Sequence, residues 1–126
     1  MESVMITMLR QNIPTGYDKQ INFYKKNLEK LLVNPFNENV LNKLIGTLIL
    51  MCHDQTGKDL NSLIDVYLEE ENTIQNEVNE LGYAINYLID LNSFNEEQQS
   101  KRIVYNYLIL LNIAKKQKML RTLRLR

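Results

Sequence analysis

The chain has no tryptophan, a single cysteine, a single histidine, two prolines, four glycines and two alanines among 126 residues. Each scarcity excludes something. Cys52 alone cannot form an intramolecular disulfide, which fits a reducing compartment and an expected cytoplasmic location. One histidine and one cysteine cannot supply a zinc site. Four scattered glycines make no glycine-rich phosphate loop. Asp54-Gln55-Thr56-Gly57-Lys58-Asp59 lacks the ligand spacing and distal glutamate of a calcium loop. Long apolar runs are missing too. Val40 to Cys52 and Ile103 to Ala114 are interrupted and fall short of the ~20 residues that span a bilayer. The first eight residues lack the basic start of a signal peptide.

What is present fits one helical domain over residues 1–126. Hydrophobic residues make up 44% of the chain, enough for a core without staples. Sixteen asparagines beside so few alanines and glycines fit the codon usage of an AT-rich genome, bacterial, phage or viral.

Four helical patterns follow in order. Residues 1–14 are expected to be a loosely ordered N-terminal segment. Pro14-Thr15-Gly16 opens the first helix, with Thr15 and Asp18 as a capping pair. Tyr17, Ile21, Tyr24, Leu28 and Leu31 recur at steps of four and three, one apolar stripe. Asn34-Pro35 ends it. Asn37 caps the second helix, whose apolar face is Val40, Leu41, Leu44, Ile45, Leu48 and Ile49. It should stop near His53, ahead of Thr56-Gly57. Residues 60–88 carry a heptad stripe with one polar breach, Glu71, and form one long helix or two. Ser93 and Glu96 make a capping box for a fourth helix. Its wide apolar arc (Ile103, Val104, Tyr107, Leu108, Leu110, Leu111, Ala114) predicts a central position. No segment alternates as a strand would. The expectation is an all-α, compact antiparallel bundle of three to four helices with one long heptad-patterned member.

Charge is segregated although the net charge is zero. Residues 1–53 carry six basic and four acidic side chains, residues 54–97 one basic and eleven acidic, and residues 98–126 eight basic and none acidic. If the last two helices pair antiparallel, Asp65, Glu69, Glu70 and Glu71 meet Lys115, Lys116, Lys118 and Arg121 inside one molecule. Alternatively, the basic end of the chain at 115–126 (Lys115, Lys116, Lys118, Arg121, Arg124, Arg126) binds nucleic-acid phosphates or an anionic membrane surface. The acidic block could instead imitate a nucleic acid toward a basic partner.

Cys52-His53-Asp54 resembles a catalytic run, but neighbours on a helix point about 100° apart and cannot face one another. Cys52 reads as a small buried hydrophobe and His53 as a helix C-terminal cation. Tyr17, Tyr24, Tyr67 and Tyr107 fall on apolar stripes and are expected to line the core with their hydroxyls near water. Tyr83, Tyr87 and Tyr105 lie beside the stripes and are candidates for partner contact, together with Glu69, Glu70 and Glu71. No cofactor is implied. The expected function is that of a small non-enzymatic interaction protein, a regulator, inhibitor or immunity-type protein that binds a protein partner. Small bacteriocin-immunity proteins share the form, a helical bundle with a basic tail, with no motif residues in common. The heptad stripe also permits a symmetric dimer. The alternative is a nucleic-acid-binding regulator.

Overall fold

The computed structural model describes residues 2–34, 37–62, 103–111, 113–115 and 118. The described residues are all-helical, with several helices packing together. Helix α1 spans Val4–Asn12, α2 spans Tyr17–Val33 and α3 spans Glu38–Thr56. Residues 60–62, 103–111, 113–115 and 118 are helical as well, and no strand occurs among the described residues.

Helix α1 lies where the sequence reading assigned no element. Ser3 caps it, its hydroxyl accepting from the Ile6 amide at 3.2 Å. The start of α2 differs from expectation. Gly16, with φ +105°, takes the N-cap place of Thr15 and offers no side-chain bond. Only glycine adopts that φ without penalty. Asn37 caps α3 as expected, accepting from the Val40 amide at 3.3 Å. Helix α3 continues three residues past His53. It stops at Gly57, which is left-handed (φ +71°) and donates its amide to the His53 carbonyl at 3.0 Å. The Thr56 hydroxyl donates to the Cys52 carbonyl at 2.7 Å, closing the last turn.

Two apolar clusters sit on opposite faces of α3. The main core joins Ile21, Tyr24 and Leu31 of α2, Leu41, Leu44, Leu48 and Met51 of α3, Leu60, and Ile103, Val104, Ile109, Leu110 and Ile113. A smaller cluster joins Ile6 and Ile13 to Leu50, with Leu9, Phe23 and Ile49 against it. At ~100° per residue, Gly46 and Leu50 lie roughly 200–240° around the helix from Leu44. Helix α3 is therefore a slab with the core on one side and α1 on the other. Gly46 permits the close approach of α1. A Cβ there would lie 2.9 Å from Leu9 Cδ2 and 3.1 Å from Ile13 Cδ1.

Three polar residues change which faces are inside. Gln20 and Asn27 are buried on α2, so its inner face holds Gln20 and Asn27 beside the expected Ile21, Tyr24 and Leu31, while Tyr17 and Leu28 are half-buried. Asn106 is buried between Ile103 and Leu110, and its amide donates to the Tyr24 hydroxyl at 3.1 Å. The Tyr24 hydroxyl is thus bonded within the core (1% exposed) and not near water as expected. Ile109 and Ile113 belong to the inner face of the last helical residues, whereas Leu111 is exposed. The predicted arc was centred one step too far round, because its true centre is an asparagine.

Candidate functional site

The residues that fasten α1 define the most distinctive polar site among those described. Arg10 is the one basic residue on α1, and its guanidinium forks between two carboxylates. Its Nε donates to Glu2 Oε1 and Oε2, each at 2.9 Å. Its terminal nitrogens donate to Asp54 Oδ1 at 2.6 Å and Oδ2 at 3.2 Å. Gln20 Nε2 of α2 also donates to Asp54 Oδ2, at 2.9 Å. One cluster therefore ties α1, α2 and the last turn of α3 together. The hydrogen bonds from Arg10 hold the Glu2 carboxyl below its ordinary value. Burial alone would raise Asp54, but hydrogen bonds from Arg10 and Gln20 outweigh it and leave this carboxyl low. Glu2 and then Asp54 push Arg10 further up.

This sets the pH dependence of α1. Carboxyls lowered in the folded state stabilise it fully above their unfolded pKa values and lose that contribution as pH falls through the folded ones. Helix α1 is expected to loosen in acid, below about pH 4, while α3 stays folded. Hydrogen exchange should show α1 amides losing protection faster than α3 amides between pH 7 and pH 3. Arg10→Gln should flatten that difference. Asp59, held low by amides of Ser62 and Asn61, is unaffected by this substitution. Equal loss of protection in both helices, in both chains, would show that the clamp does not hold α1.

Two grooves flank α1. The first encloses about 500 Å³ between Ser3, Met5 and Ile6 of α1, Ile49 and His53 of α3, the turn residues Gly57, Asp59, Leu60 and Asn61, and Tyr107. The second, about 550 Å³, lies between Leu9, Asn12, Ile13, Phe23, Asn39, Asn42 and Lys43. Both are within the size range of small-molecule and side-chain pockets. The outer ridge of α1 presents Val4 (78% exposed), Met5 (52%) and Met8 (59%), of which Met5 also lines the first groove. The other exposed positions of α1 are Thr7, Gln11 and Asn12, so this ridge carries no charge.

The Cys52-His53-Asp54 run is taken apart by the helix. Cys52 is fully buried in the main core, with its thiol donating to the Lys58 carbonyl at 3.3 Å. Asp54 is engaged by Arg10 and Gln20, and His53 lines the first groove. Burial pushes the Cys52 thiol up, with Thr56 acting in the opposite direction. A thiol so placed is a core residue, as the sequence reading expected. Its modification by an aromatic disulfide reagent should be slower in the native chain than in urea, on the order of a hundredfold or more. Equal rates would mean that Cys52 is open to solvent.

Of the expected partner-contact residues, Tyr105 is half-buried against the main core. Tyr83, Tyr87, Glu69, Glu70 and Glu71 lie outside the described residues, as do Tyr67, the 63–88 part of the heptad stripe, and the Ser93–Glu96 capping box. Of the basic residues, Lys115 and Lys118 are exposed, and Lys116, Arg121, Arg124 and Arg126 lie outside the described residues. The expected neutralisation of the basic end by the acidic block therefore falls there too. Among the described residues, no three of His, Cys, Asp or Glu cluster to hold a metal. No described helix is long and apolar enough to cross a membrane.

Sequence reasoning missed Arg10, Gln20, Gly46 and the outer ridge. Arg10 offered one signal, as the lone cation in a segment of 18 residues. Its partner Asp54 is 44 positions away, beyond any local pattern. No family model matches this chain, and no curated protein or solved structure matches it.

Proposed function

We infer that the protein is a small non-enzymatic helical interaction module, a regulator, inhibitor or immunity-type protein, that binds a protein partner with the outer ridge of α1 and the adjoining groove. One observation carries this reading. Helix α1 is apolar on two sides, with Ile6 buried inward and Val4, Met5 and Met8 exposed outward. Large apolar side chains exposed together beside a groove mark an interaction surface. Methionine also suits a contact surface that adapts to its partner. The groove beside the ridge adds Ile49, Leu60 and Tyr107, with His53, Asp59 and Asn61 as polar rim. That is an apolar centre with a few orienting groups, the usual anatomy of a protein interface.

A photo-crosslinking residue at position 8, expressed in the host, should capture a discrete partner. Met5→Glu should weaken that capture roughly tenfold or more, as expected for an interface hot spot, without moving the melting temperature. Undiminished capture by the Met5→Glu chain would dispose of the ridge as the contact surface.

A second reading is nucleic-acid binding through the basic end of the chain, favoured by the exposure of Lys115. It predicts retention on DNA or RNA that falls steeply with salt. No retention at low salt ends it.

A further inference from the structure

We propose that the furrow holding α1 also accepts α1 of a second copy, so that two chains exchange their first helices reciprocally. The inference uses the inner face of α1, whereas the function inferred above uses its outer ridge. The two stand or fall separately, and the ridge stays exposed in either arrangement.

Separability comes first. The anchors Ile6 and Ile13 belong to the small cluster around Leu50, on the side of α3 away from the main core. Removing α1 uncovers Leu50 and the space above Gly46, whereas Leu44 and Leu48 belong to the other cluster, with Ile49 packed against both. Specificity comes next. The gap over Gly46 is filled by the methyl ends of Leu9 and Ile13, and the Arg10 fork lands on Asp54. These are contacts that a second copy remakes in full, which is why the same helix from another chain is the occupant of choice.

The hinge supplies the drive. Helix α1 reaches α3 of its own chain through the short connection Ile13–Gly16, with Gly16 at φ +105°. Short hinges that require a special backbone favour exchange once the closed turn is penalised. Gly16 is a clean lever for this. A Cβ there would meet nothing within 4 Å, so a substitution acts on the backbone alone. In the natural chain the closed form has the advantage of an intramolecular contact, with an effective concentration on the order of mM.

Charge reversal makes the exchange testable. An Arg10→Asp chain carries carboxylates at both 10 and 54, and an Asp54→Arg chain carries guanidiniums at both. Each closed monomer sets like charges against each other. In the exchanged heterodimer one furrow pairs Asp with Arg in reversed order and the other restores the natural pair. Gln20, whose buried Oε1 has no hydrogen-bond partner, offers an acceptor to an arginine at 54.

The two variants are made as full chains and examined by light scattering, alone and mixed. Each alone should be monomeric, with α1 amides exchanging fast and α3 amides protected. The mixture should form a one-to-one dimer in which α1 protection returns. Gly16→Val in the natural chain should tighten self-association at least tenfold. A mixture that stays monomeric overturns the proposal. So does either variant dimerising alone as tightly as the mixture, since another surface is then responsible. Loss of the α2–α3 fold in either variant overturns it as well, because α1 is then not separable.

Discussion

Truncating Leu48 to alanine is expected to lower the unfolding free energy by about 3–5 kcal/mol. Leu48 is fully buried in the main core, on the face of α3 that meets α2 and the helical residues beyond 103. The loss of its isobutyl group leaves a cavity that rigid neighbours cannot fill. In a chain of this length the melting midpoint should fall by roughly 10 °C or more. The informative comparison is Ile6→Ala, which removes a buried side chain of equal size from the other face of α3. Helix α1 is anchored to the rest of the chain by few buried side chains, Ile6 within it and Ile13 at its end. Once α1 is detached, further weakening of its anchors does nothing to the remaining fold. The effect of Ile6→Ala on global melting has a ceiling, the free energy of opening α1, whereas Leu48→Ala has none. Urea melts should show a large midpoint shift for Leu48→Ala. Ile6→Ala should give a much smaller shift and a faster exchange confined to α1. Equal midpoint shifts for the two substitutions would mean that the clusters unfold as one, and the separable-helix picture would fail.

The same two clusters explain what could be read from the sequence and what could not. The α2 and α3 boundaries were legible because glycine, proline and asparagine act locally: Asn34 before Pro35, Asn37 as a cap, Gly57 as a left-handed stop. Faces were legible only where every inner residue is apolar. Gln20, Asn27 and Asn106 are buried polar residues, and hydrophobic periodicity treats each as solvent-facing. That left the inner face of α2 wider than the expected stripe and misplaced the centre of the arc at 103–114. Helix α1 escaped notice for the opposite reason. Val4, Met5, Ile6, Met8 and Leu9 cover both sides of the helix, so no single stripe stands out. The candidate site fared worse than the fold, because its parts converge from far apart in the chain. Arg10 meets Asp54 across 44 positions, and Met5 and Tyr107 line one groove from distant parts of the chain. Only the isolation of His53 from Cys52 followed from local geometry.

Asn106→Leu is the second substitution with a large expected effect, and its rescue is more informative than its damage. Tyr24 is fully buried, and its hydroxyl takes a hydrogen bond from Asn106. Leucine keeps the volume but strands that hydroxyl in an apolar core, at about 1–3 kcal/mol for the unpaired group. Tyr24→Phe made in the Asn106→Leu chain removes the stranded oxygen, and should recover at least about 1 kcal/mol of the loss. Alkaline pH reads the same pair. Burial, opposed weakly by the Asn106 bond, pushes the Tyr24 hydroxyl far above its ordinary value. A raised acid stabilises the folded state fully below its unfolded pKa and loses that contribution as pH rises toward the folded one. The chain should therefore weaken above about pH 10, where a tyrosine in the unfolded chain ionises. The Tyr24→Phe/Asn106→Leu chain should be less sensitive to alkali over that range, although six other tyrosines remain to titrate. If the double variant is no more stable than Asn106→Leu alone, and as alkali-sensitive as the natural chain, the hydrogen bond does not fix α2 against the last helical residues. Their register would then have to come from the apolar contacts of Ile103, Leu110 and Ile113 alone.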